Sequence, residues 1–110
     1  MAIKQVKIKY NNQDAIVEFE DSLTFGDMED LVGQSVDLTD VTKPSINLQL
    51  YRMNLLVKVI KKAPFKIGDE TTLKLLDAKV VKTILGEVLR YHPLAEYIED
   101  WMHTFQSFEE

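Results

Sequence analysis

Apolar and polar positions alternate from the first residues of the chain. Val6, Ile8 and Tyr10 are separated by Lys7 and Lys9, and after Asn11-Asn12-Gln13-Asp14 the alternation resumes with Ala15, Val17 and Phe19. Two runs of period two, broken by turn-forming residues, predict a β-hairpin over residues 1–21. A turn around Asn12-Gln13 pairs Tyr10 with Ala15, Ile8 with Val17 and Val6 with Phe19, all six on one face. Lys7 then meets Glu18 and Gln5 meets Glu20 on the other face, where Ile16 opposite Lys9 breaks the polarity. Asparagine suits the turn because it tolerates positive φ.

The period then changes. Thr24 with Asp27 three residues on reads as a helix N-cap, a capping-box variant with aspartate for glutamate. Phe25, Met28, Leu31 and Val32 follow at helical spacing, and Gly33 is the expected end of this short helix. Residues 34–44 read as a connecting loop, with Asp37-Leu38-Thr39-Asp40 as a short turn and Pro44 before the next element. From Ser45 the chain is densely apolar, and Asn47, Asn54, Lys58, Lys61 and Lys62 leave one narrow polar stripe. That pattern predicts a central helix buried by several neighbours and stopped by Pro64. Its beginning is ambiguous, because Ile46 to Leu50 alternates like a strand.

A leucine-rich turn, Leu73, Leu75 and Leu76, precedes a helix capped by Asp77 with a buried stripe of Val80, Val81, Ile84, Leu85, Val88 and Leu89. Gly86 inside it suggests close approach of another backbone, since glycine there costs about 1 kcal/mol relative to alanine. Pro93 suits the first position of a last helix. Leu94, Tyr97, Ile98, Trp101, Met102 and Phe105 lie along one side of it, and Glu96, Glu99, Asp100 and His103 along the other. The expected fold is one α+β domain over residues 1–110: the hairpin, then a predominantly helical part over 24–110, a bundle of about four helices.

Composition narrows the function classes. With 45% apolar residues in 110, one core can form. There is no cysteine, hence no disulfide, thiolate metal site or cysteine nucleophile. The alternating start is unlike the unbroken apolar run of a signal peptide, and no stretch reaches the ~20 apolar residues of a membrane span. A cytoplasmic protein is the expectation.

The net charge of −5 hides a block pattern. Residues 1–13 hold three lysines and no acid, and residues 14–42 nine acids and no base. Residues 43–90 hold ten bases against four acids, and residues 91–110 five acids and no base. Such blocks are either solvated faces of separate elements or surfaces that attract unlike blocks in the same or a neighbouring molecule. A basic block inside an acidic protein, without interleaved exposed aromatics, argues against nucleic-acid binding.

Catalytic chemistry finds little to stand on. His92 before a proline reads as a turn or cap residue. His103 with Glu99 four residues earlier is a plain helical pair, so no metal is expected there despite Glu96 and Asp100 nearby. Asp27, Glu29, Asp30, Asp37 and Asp40 do not follow the calcium-loop spacing, and none of the four glycines forms a phosphate-cradling motif. The expectation is a protein without enzymatic activity or cofactor.

What remains is surface. Leu94, Tyr97, Ile98, Trp101, Met102, Phe105 and Phe108 form a terminal apolar stripe of the residue types that dominate interface hot spots. The stripe either packs on the domain's own core or presents a partner-binding or oligomer surface.

In this order of elements the chain resembles the small tail assembly chaperones of long-tailed phages and prophages of Gram-positive bacteria. The resemblance lies in Leu23-Thr24-Phe25-Gly26-Asp27-Met28 opening a short helix after an N-terminal hairpin. It continues in the central apolar helix ending at Ala63-Pro64-Phe65, and in the leucine turn before the Asp77-capped helix. It covers most of the chain and implies a non-enzymatic protein of the host cytoplasm that binds tape-measure protein and major tail protein during tail morphogenesis. It further implies self-association and absence from the mature virion. The alternative is a generic protein-interaction or oligomerisation module of another phage or bacterial system.

Overall fold

Strands β1 (Ile3–Tyr10) and β2 (Gln13–Glu20) form the expected hairpin, closed by Asn11 and Asn12. Both asparagines have positive φ, 52° and 62°, so the turn lies between Tyr10 and Gln13. The register therefore differs from the expected one by two residues. Val6 pairs with Val17, Ile8 with Ala15, Gln5 with Glu18, Lys7 with Ile16 and Lys9 with Asp14. Because side chains alternate with period two, an even shift changes every partner and leaves each face as it was. Val6, Ile8, Val17 and Phe19 are buried on one side, and Gln5 Nε2 donates to Glu18 Oε1 at 3.0 Å on the other.

These coordinates belong to a computed structural model describing residues 2–37 and 45–93. Helix α1 (Phe25–Gln34) begins as the capping pattern predicts, with the Asp27 amide donating to Thr24 Oγ1 at 3.1 Å. It ends one residue past Gly33, at a Ser35 cap whose hydroxyl donates to the Leu31 carbonyl at 2.7 Å. The segment after it is more than a loop. Strand β3 (Val36–Asp37) pairs antiparallel with β4 (Ser45–Ile46), so of the strand-like run Ile46 to Leu50 only Ile46 is in a strand, and Leu48–Leu50 are already helical. The remainder of the expected Asp37–Asp40 turn lies outside the described residues.

Helix α2 (Leu48–Val59) is capped by Asn47, whose side chain accepts from the Leu50 amide. It stops well before Pro64. Ile60–Lys62 forms strand β5, antiparallel to β2, so the sheet has three strands in the order β1-β2-β5. The polar stripe of α2 faces α1: Asn54 reaches Ser35 Oγ at 3.5 Å, and Lys58 pairs with Asp27 at 3.8 Å.

Helix α3 (Glu70–Lys74) follows an Asp69 cap, and α4 (Ala78–Tyr91) an Asp77 cap. Ile84 and Val88 of α4 are fully buried, with Val80, Val81, Leu85 and Leu89 packed around them. Gly86 meets nothing within 4 Å of where a Cβ would stand, so among the described residues no backbone approaches it. The chain is α+β, with α1, α3 and α4 each packed on α2 and α4 also lying across β1. One core joins Phe19 and Ile60 of the sheet to Leu31, Tyr51, Leu55, Leu56, Leu73, Ile84 and Val88. Each fully buried large apolar side chain is worth about 1.5–3 kcal/mol.

Candidate interaction surfaces

The stripe expected to bind partners (Leu94, Tyr97, Ile98, Trp101, Met102, Phe105 and Phe108) lies outside the described residues, as does His103 with its neighbouring acids. The candidate surfaces below belong to the remaining elements.

Two helices display large apolar side chains to solvent. Phe25 opens α1 and is 80% exposed; Leu75 follows α3 and is 82% exposed. In the sequence Phe25 stands at helical spacing with Met28, Leu31 and Val32, and Leu75 belongs to the leucine-rich turn. In α1 the buried residues are Leu31 and Val32 in its last turn, Met28 is partly buried against the core, and Asp27 of the first turn pairs with Lys58 of α2, while Phe25 at the helix start projects to solvent. In the leucine turn only Leu73 is fully buried; Leu76 is half-buried against the core, and Leu75 caps α3 with its side chain outward.

His92, expected as a turn or cap residue, is the C-cap of α4. It caps α4 by donating its amide to the Val88 carbonyl at 3.0 Å, and its Nε2 donates to the Glu20 carbonyl at 2.7 Å. Next to it Tyr91 stacks at a tilt on Phe19, ring centroids 5.8 Å apart, and carries Lys4 over its ring at 5.5 Å. Among the described residues no group of three or more His, Asp or Glu side chains could hold a metal ion. Nor is any described helix long and apolar enough to cross a membrane.

Two aspartates have carboxyls held below the usual range. Asp21 accepts the Ala2 amide at 2.9 Å, which favours its charged form, with Lys4 adding attraction. Asp69 accepts the Thr72 hydroxyl at 2.9 Å and the Thr71 amide at 3.1 Å, with Lys66 nearby. Asp21 ties together the open end of the hairpin, and Asp69 caps the first turn of α3.

A groove of about 400 Å³ runs between the hairpin and the first turns of α4, lined by Lys7, Ile8, Lys9, Asp14, Lys79, Val80 and Thr83. Its floor is apolar and its rim basic. Lys9 and Asp14, cross-strand neighbours in the hairpin, pair on its rim at 3.5 Å, both well exposed. Lys7 and Lys79 have no acidic partner among the described residues. Alternation in β1 and helical spacing in α4 each predict where these lysines stand in their own element. Nothing in the sequence says that the two elements meet.

The fold defines an α+β domain with helices packed on a three-stranded antiparallel sheet. No protein-family model, curated protein or solved structure matches the chain.

Proposed function

We propose that this chain acts by binding other proteins, as a tail assembly chaperone of a long-tailed phage or prophage. In this reading it holds tape-measure protein and tail-tube subunits in the host cytoplasm, self-associates, and performs no catalysis. The fold in this reading is a predominantly helical bundle, and the apolar residues Leu94, Tyr97, Ile98, Trp101, Met102, Phe105 and Phe108 are what the partner covers. The observation that supports the reading best is the exposure of Phe25 at the start of α1 and of Leu75 at the end of α3, beside the buried Leu31, Val32 and Leu73 of the same helices. Large apolar side chains held out on rigid elements suit many small reversible contacts along a repetitive partner.

Co-expression with the tape-measure product of the neighbouring genes, followed by pull-down, tests this. Retention of the tape-measure protein is the expected result, and no retention at low salt overturns it. Self-association without retention would instead favour an interaction module of another system.

A further inference from the structure

β1 forms one edge of the sheet. The Asp21 amide donates to the Ala2 carbonyl at 2.9 Å, which sets the parity of the ladder. Lys4, Val6, Ile8 and Tyr10 are thus the residues that exchange hydrogen bonds with β2. Ile3, Gln5, Lys7 and Lys9 turn their amides and carbonyls the other way. Among the described residues no strand pairs with that side.

This free edge borders the groove beneath α4. Ile8 and Val80 line its floor, and Lys7, Lys9 and Lys79 its rim, with the Asp14 carboxylate beside Lys9. We propose that the β1 edge accepts an extended acidic polypeptide segment as an added strand. Lysines on an edge discourage pairing with apolar or basic strands. They favour one that carries carboxylates at alternate positions. Lys7 and Lys9 stand two residues apart on one face, roughly 7 Å, which is also the spacing of alternate side chains in an added strand. The intervening side chains would enter the groove between Ile8 and Val80. Backbone pairing would supply affinity, and the alternation of acidic and apolar residues would supply selectivity. The occupant is therefore a segment in which glutamate or aspartate alternates with a β-branched apolar residue.

A blocked peptide of alternating glutamate and valine is the probe, with its lysine–valine counterpart as control, and amide hydrogen exchange by NMR as the readout. Adding the acidic peptide should protect the Gln5, Lys7 and Lys9 amides, while Val6 and Ile8, already bonded to β2, change little. Lys7→Pro should abolish binding without unfolding the hairpin, because that amide takes no part in the ladder. Should Lys7→Pro fail to fold, Lys7→Glu with Lys79→Glu carries the test. This pair should weaken the acidic peptide by about tenfold or more and reverse the preference between the two peptides. Absence of binding to the folded protein at low salt overturns the proposal. So does binding indifferent to these substitutions, or Gln5, Lys7 and Lys9 amides already protected in dilute protein alone.

Discussion

The imidazole Nε2 of His92 donates a 2.7 Å hydrogen bond to the carbonyl oxygen of Glu20, joining residues 72 positions apart. The bond ties the end of α4 to the end of β2, and the Phe19–Tyr91 ring contact lies beside it. His92→Leu keeps most of the side-chain volume but removes the donor, leaving a partly buried carbonyl without its partner. A loss of about 1–2 kcal/mol is expected in urea unfolding. An unchanged midpoint would mean that the bond makes no net contribution.

The hairpin turn depends on two left-handed residues. Asn12, at φ 62°, is expected to accept glycine with no loss or a slight gain in stability. Asn12→Val should cost about 1–2 kcal/mol, because a β-branched residue resists positive φ. Thermal unfolding of the two variants, compared with the parent, gives the sign of each.

Gly86 stands in the interior of α4 with open space where a side chain would project. Gly86→Ala should therefore stabilise the protein by about 0.5–1 kcal/mol, the difference in helix propensity. Destabilisation would show that something else packs against that face.

Two phenylalanines of equal size should differ sharply in what their removal costs. Phe19 is fully buried and Phe25 is 80% exposed. Phe19→Ala should cost about 3–5 kcal/mol through lost burial and a cavity. Phe25→Ala should leave unfolding nearly unchanged and lower capture of the tape-measure protein. An equal loss of stability in both would place Phe25 in the core and remove it as a contact surface.

Acid stability should depend in part on Asp69, whose carboxyl is held below its ordinary value chiefly by the Thr72 hydroxyl. The folded state binds this proton less readily than the unfolded chain. The stabilisation is therefore complete above the unfolded carboxylate pKa of about 4 and lost as pH falls through the lower folded value. Asp69→Asn, which retains an N-cap side chain, should flatten the acid limb of melting temperature against pH. An identical slope in the variant would assign that limb to other carboxylates.

The terminal stripe is tested by Trp101→Ala combined with Phe105→Ala. Weaker association with nearly intact helix content is expected by circular dichroism and sedimentation. Collapse of the whole fold would instead assign these residues to the core.

Local rules made several elements legible from residue order. Thr24 and Asp77 cap helices because a short polar side chain before an apolar period satisfies first-turn amides. The inward face of the hairpin and the stripe of α4 followed from periods of two and 3.6.

Other features depended on which elements meet in space. The hairpin register was illegible because a slip of two residues preserves both faces, so the pattern is the same for either pairing. Ile60-Lys61-Lys62 continues the composition of α2, and the open edge of β2 is what makes it a strand. Phe25 keeps helical spacing with Met28, Leu31 and Val32, and Leu75 sits in the leucine-rich turn, yet both face solvent, because no neighbour covers them among the described residues. The groove beside β1 unites residues near the hairpin turn with the start of α4. Periodicity says which side of an element is apolar; only packing decides what stands opposite it.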